Sequence, residues 1–125
     1  MNVLALFNKI TTFAFDIDGV LTDGTLFLLA DGEAVRRMNV KDGYALQLAI
    51  KKGYRIVVIS GSYSEPVKER LHRLGIKDVY MEVADKKEAL KEYTKANKLL
   101  YEEILFMGDD MPDMPVMEIE GLLTC

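Results

Sequence analysis

The chain has 125 residues, half of them apolar and 29% charged, with a formal net charge of −4. This is the profile of one globular domain over residues 1–125 with its own core, and the negative charge argues against nucleic-acid or anionic-membrane partners. Cys125 is the only cysteine, which excludes an internal disulfide; no leader or membrane span is visible either, so a reducing cytoplasm is the expected location.

In chain order, residues 12–15 form an apolar, β-prone run that reads as a buried strand ending on Asp16-Ile17-Asp18. Extended backbone has a side-chain period of two, so both carboxylates are expected on one side of the strand end. Such a pair also suits ordinary turn chemistry. If buried together, however, the two charges repel, and a hard divalent cation with oxygen ligands would resolve this. Gly19 and Gly24 allow the chain to turn away. Two extended segments around Asp31-Gly32 then predict a β-hairpin over about 25–40. Its consecutive Phe27, Leu28 and Leu29 make both faces apolar. The hairpin must therefore either fold back on the core or be covered by a neighbouring subunit.

A helix is expected over 42–52 with Asp42 as its cap, followed by a continuous buried strand over 54–60 that ends in Ser60-Gly61-Ser62. Ser64 can cap the next helix, with Val67, Leu71 and Leu74 on one face and Gly75 at its end. A short strand over 78–81, a helix from Asp85 to about Asn97 and a strand over 104–107 follow. The last of these ends in Gly108-Asp109-Asp110-Met111-Pro112-Asp113, before a short helix through Val116 and Met117. Residues 121–124 begin another apolar strand. Strands alternating with helices predict a three-layer α/β/α fold around a parallel sheet, in which ligands bind beyond the carboxyl ends of the strands. The polar clusters Asp16/Asp18, Ser60/Gly61 and Asp109/Asp110/Asp113 all fall at such ends, with Lys86 starting a helix in the same layer.

Several carboxylates, a hydroxyl, an ammonium and a glycine-flanked backbone are poor equipment for acyl transfer, and His72, the only histidine, lies mid-helix. They suit phosphoryl transfer, which needs positioning and neutralisation of charge. One carboxylate would attack phosphorus, and the other would serve as general acid and then base. Mg²⁺ would offset repulsion between carboxylate and phosphate. Ser60 and the Gly61 N–H could donate to phosphate oxygens, with Lys86 as a point charge.

DIDGVLTDG, ISGS, the lysine of Asp85-Lys86 and GDDMPD occur in the order of the four motifs of the haloacid dehalogenase-like phosphatases, which the chain resembles. MNVKDGYALQL, RLHRLGIKDVY and GDDMPDMPVME extend the likeness over nearly the whole sequence. They point to the capless branch that includes the 3-deoxy-D-manno-octulosonate 8-phosphate phosphatases. The resemblance implies a Rossmann-like core and a homotetramer in which hairpins form a central barrel, favouring assembly as the fate of the apolar hairpin. It implies Asp16 as nucleophile and Asp18 as general acid/base. Mg²⁺ would be bound by the Asp16 carboxylate, the Asp18 carbonyl and Asp109. Ser60 and Lys86 would hold the phosphate, with Asp110 and Asp113 in support. The segment Asn39-Val40-Lys41-Asp42-Gly43 matches a substrate-contacting stretch, and Arg70, otherwise an ordinary surface helix residue, matches an arginine that meets the sugar acid.

Gln47 and Ser62 stand where relatives acting on the eight-carbon acid carry arginine. A relative acting on a nine-carbon keto-deoxy acid phosphate carries glutamate at the second place, and Ser62 matches neither pattern, so a nine-carbon keto-deoxy or sialic acid 9-phosphate stands as an alternative substrate. Relatives also continue past the strand begun at Gly121 into a further helix and tail. The implied role is release of phosphate from a phosphorylated sugar acid for surface-polysaccharide synthesis. Alternatives of other classes are a non-catalytic oligomerisation module of a sugar-acid cytidylyltransferase system and a phospho-acceptor signalling domain, though the latter lacks the second aspartate of the pair.

Overall fold

The computed structural model describes residues 5, 7–108 and 113–125. Its centre is β1 (Thr12–Phe15), flanked in parallel by β4 (Arg55–Ile59) on one side and β6 (Ile104–Met107) on the other. With β5 (Asp78–Tyr80) and β7 (Leu123–Thr124) at the edges, the order is β5-β4-β1-β6-β7. The chain moves outward from β1 to β4 and β5, then crosses back to the far side of β1. This reversal opens a crevice beyond the carboxyl ends of β1 and β6.

Alternation along the strands divides the core between the two sheet faces. Phe15, Ile56 and Val58 pack on one face with Leu46 of α1 (Val40–Lys51) and with Val67 and Leu71 of α2 (Glu65–Arg73). Ala14, Val57, Ile59, Ile104 and Phe106 pack on the other with Leu90 and Tyr93 of α3 (Lys86–Ala96) and Val116 of α4 (Met114–Met117). The central strand is thus buried on both sides, as its unbroken apolar sequence requires. The expected three-layer α/β/α architecture is present.

Local details differ from the expectations in two places. Helix α1 begins at Val40, because Asn39 rather than Asp42 is its cap: extended backbone at Asn39 lets its Oδ1 accept from the Lys41 N–H at 2.8 Å. Asp42 instead adds a negative charge to the first turn. The hairpin strand β2 (Thr22–Leu28) starts earlier than predicted and pairs with β3 (Ala34–Met38), setting Leu26 opposite Arg36 and Phe27 opposite Val35. The register shifts between Thr22 and Leu26, a span in which Gly24 has φ +82°, so this glycine lies within an irregular strand. Leu26, Phe27, Leu28, Leu29 and Val35 all remain exposed, Leu28 at 76%, so the hairpin does not fold its apolar residues back on the core.

Candidate active site

Asp16 is the first residue past β1 and only 5% exposed. Its N–H donates to the Met107 carbonyl at 3.0 Å, carrying the β1–β6 ladder one step into the crevice. Asp16 Oδ1 accepts from the Ile17 N–H at 2.7 Å and lies 3.1 Å from Lys86 Nζ. The same ammonium reaches Asp113 Oδ1 at 2.6 Å. Lys86 is the first residue of α3, whose cap Asp85 accepts from the Glu88 N–H at 3.1 Å. A helix start therefore aims a lysine, 6% exposed, between the strand-end carboxylate of Asp16 and that of Asp113, the cap of α4.

Burial pushes the Asp16 carboxyl above its ordinary range, opposed by the Ile17 N–H and Lys86. Burial alone would lower Lys86, but the hydrogen bond to Asp113 and the attraction of Asp16 outweigh it, holding the ammonium above its usual value. Two carboxylates thus share one cation. Gly108 makes this possible: a Cβ there would stand 2.6 Å from Asp113 Oδ2 and 2.8 Å from the Phe106 ring.

Asp18, two residues on, takes different partners. Arg36 Nε donates to its Oδ1 at 2.7 Å and Nη2 reaches Oδ2 at 3.5 Å, while the Ser62 hydroxyl donates to Oδ2 at 3.1 Å. Ser62 Oγ is also 3.0 Å from Ser60 Oγ, which accepts from the Ser62 N–H at 3.2 Å. Ser60 is buried immediately after β4. The sequence calls for positive charge beside Asp16 and Asp18, with a divalent cation as the simplest candidate, and part of that charge comes from the chain itself. The protein supplies Lys86 to the first and Arg36 to the second. Arg36 was missed by sequence reading. The available signal was period-two alternation in β3, which puts Arg36 on the less exposed side with Ala34 and Met38, away from Val35 and Arg37.

The segment 39–43 lies at the start of α1, with Asn39, Val40, Lys41 and Asp42 exposed and Gly43 buried. Asn39 and Asp42 line a cleft of about 370 Å³ together with Leu21, Thr22, Asp23, Arg37 and Met38. Arg70 lies over Gly43, where an added Cβ would come 3.2 Å from its Nη2. Gly61, exposed, follows Ser60, and His72 is exposed on α2. Asp109 and Asp110 lie outside the described residues.

Among the described residues, no group of three or more His, Cys, Asp or Glu comes together as a metal site. The side chains gathered here that could meet a cation, the carboxylates of Asp16, Asp18 and Asp113, offer only oxygen. The Asp16–Lys86–Asp113 cluster carries more negative than positive groups. Both features fit a hard divalent ion better than a soft one.

No family model matches the chain. The 3-deoxy-D-manno-octulosonate 8-phosphate phosphatase KdsC of Escherichia coli strain K12 is 32% identical over 121 residues, 97% of this chain and 64% of that protein. The chain thus spans a little under two thirds of the length of this curated relative. The structure of the corresponding phosphatase from Yersinia pestis superposes with a TM-score of 0.91 at 30% identity, covering 97% of this chain and 65% of that one. The enzyme from Moraxella catarrhalis, solved in complex with a magnesium ion, a phosphate ion and a KDO molecule, gives a TM-score of 0.87 at 30% identity, over 96% of this chain and 71% of that one. With identities of 30–32% over 96–97% of the chain and TM-scores of 0.87–0.91, the chain belongs to the family of the 3-deoxy-D-manno-octulosonate 8-phosphate phosphatases, within the haloacid dehalogenase-like superfamily.

Proposed function

We propose that this chain is a Mg²⁺-dependent phosphomonoesterase that works through an aspartyl-phosphate on 3-deoxy-D-manno-octulosonate 8-phosphate or a related keto-deoxy sugar acid phosphate. The observation that carries this reading is the Asp16–Lys86–Asp113 cluster at the mouth of β1 and β6, where a buried carboxylate is held beside a shared ammonium. With Oδ1 anchored by the Ile17 N–H and Lys86, Asp16 presents its other oxygen to phosphorus. As that bond forms, the bond from phosphorus to the sugar oxygen breaks, and Asp18 delivers the proton the alkoxide needs. Asp18, now ionised, takes a proton from water; the water oxygen attacks phosphorus and the Asp16–phosphorus bond breaks, releasing phosphate. Lys86, Ser60 and the Gly61 N–H hold the phosphate oxygens through both steps. Asp16, the Asp18 carbonyl and Asp109 would hold Mg²⁺, which supplies charge neutralisation between the carboxylate and the phosphate dianion.

Asn39, Val40, Lys41, Asp42 and Arg70, the last lying over the buried Gly43, form the surface that meets the sugar acid. Ser62 and Gln47 depart from the arginines of the eight-carbon relatives, and Ser62 departs from the glutamate of the nine-carbon one as well, so the choice between the two acid phosphates rests on assay. The exposed apolar hairpin supports assembly, read here as a homotetramer with neighbouring hairpins covering one another; the cytoplasm is the compartment that goes with this function. The test is phosphate release with Mg²⁺ from eight- and nine-carbon keto-deoxy acid phosphates and ordinary sugar phosphates. Asp16→Asn should lose on the order of a thousandfold or more in kcat. Preference for one keto-deoxy acid phosphate fixes the substrate. The absence of any Asp16-dependent release would overturn the reading in favour of a non-catalytic oligomerisation module.

A further inference from the structure

An arginine on a protruding hairpin ordinarily keeps its charged head in water. Arg36 does not: its side chain is only 6% exposed, on a strand whose neighbours Val35 and Arg37 both face solvent. A buried guanidinium needs a partner, and its ion pair is with Asp18, a carboxylate 37% exposed. The guanidinium reaches both oxygens of that carboxylate, by Nε and more distantly by Nη2, while Ser62 adds a third donor from the loop after β4. Three donors from two separate elements thus fix the plane of one carboxylate whose own backbone lies past the end of its strand.

We propose that Arg36 is a positioning residue for Asp18: the hairpin reaches into the crevice to hold the general acid/base at the angle from which it serves the leaving oxygen. This rests on the phosphatase reading above and deepens it. Ser62 alone offers Asp18 one hydroxyl, which leaves the carboxylate free to turn about that single contact. The guanidinium fork adds the constraint that a single point contact lacks. Lysine at position 36 would keep the charge but not the fork.

A leaving group that needs no proton separates positioning of the acid from general damage. In kcat/KM, only steps up to leaving-group departure count, so the later attack of water does not blur the comparison. For 3-deoxy-D-manno-octulosonate 8-phosphate, which leaves as a primary alkoxide, Arg36→Met should lower kcat/KM by about 10- to 100-fold, the range general acid catalysis supplies. For p-nitrophenyl phosphate, which leaves as a stable phenolate, the same variant should stay within about threefold of the parent. Arg36→Lys should fall between parent and Arg36→Met on the sugar acid phosphate. An equal loss on both substrates, or full activity of Arg36→Met on the alkyl ester, would overturn the proposal.

A second readout does not depend on turnover. In crystals of Arg36→Met, the Asp18 carboxylate should turn about its remaining contact with Ser62, out of the plane the guanidinium fixed, while the Asp16–Lys86–Asp113 contacts persist. Asp18 unmoved in that variant would overturn the positioning role. If the parent protein hydrolyses neither ester in an Asp16-dependent way, the phosphatase reading fails, and the crystals still decide whether Arg36 holds Asp18.

Discussion

Lys86 serves two carboxylates, and removing it leaves both Asp16 and Asp113 buried without their shared cation. Lys86→Met should therefore destabilise the fold by about 3 kcal/mol, the cost typical of breaking a buried ion pair from one side. Urea unfolding read by far-ultraviolet circular dichroism measures this. Gly108→Ala attacks the same cluster from below, since its new methyl group would meet the Asp113 carboxylate and the Phe106 ring at less than 3 Å. It should cost about 1–3 kcal/mol as an overpacked site and lower phosphate release as well, through displacement of Asp113 from Lys86. Asp16, Ser60 and Lys86 were legible in the sequence because each stands where an apolar strand stops or a capped helix starts. Arg36 was not, because its role depends on how far the hairpin leans over the crevice. No local pattern encodes that angle; period-two alternation tells only which side of β3 the side chain leaves.

At the scale of elements, α3 connects a cap to the site. Asp85 satisfies the Glu88 N–H and so fixes the first turn, in which Lys86 is the leading residue. Asp85→Ala should cost about 1 kcal/mol of stability, the usual value of a helix cap, and Asp85→Asn should restore most of it. Denaturant midpoints of the three proteins would check this. The strands expected over 54–60 and 104–107 and the cap Ser64 could be read in advance, because unbroken β-branched runs and capping side chains are local signals, whereas Asp85, expected as the first residue of its helix, proves to be the cap. The start of α1 was misplaced by two residues for an equally local reason. Both Asn39 and Asp42 are good caps, and the choice went to the one whose backbone was already extended. The hairpin was expected from Asp31-Gly32, but the irregularity between Thr22 and Leu26 carries β2 further back than turn chemistry alone suggests.

For the molecule as a whole, two buried groups contribute to its stability on the alkaline side. Burial, reinforced by the hydrogen bond to Asp78 at 3.0 Å, pushes the Tyr93 phenol up to about 12, and Lys86 is likewise held above its ordinary value. Both groups keep their protons longer in the folded chain than in the unfolded one. Their contribution is full below the ordinary values of 10.0 and 10.5 and is lost as pH rises towards the folded ones. Thermal midpoints should accordingly fall above about pH 10, and Tyr93→Phe should flatten part of that fall. Absorbance of phenolate against pH would separate Tyr93 from the exposed tyrosines. The sheet order has a further consequence, in time. Strand β1 meets β4 after an intermediate stretch of chain, but its other partner β6 arrives roughly ninety residues after β1, a long closure that slows folding. On the ribosome, Asp16 must wait with one side of its strand unpaired until the segment carrying Gly108 and Asp113 emerges. Until then, the bare edge of β1 is the part of the nascent chain most in need of shielding from its neighbours.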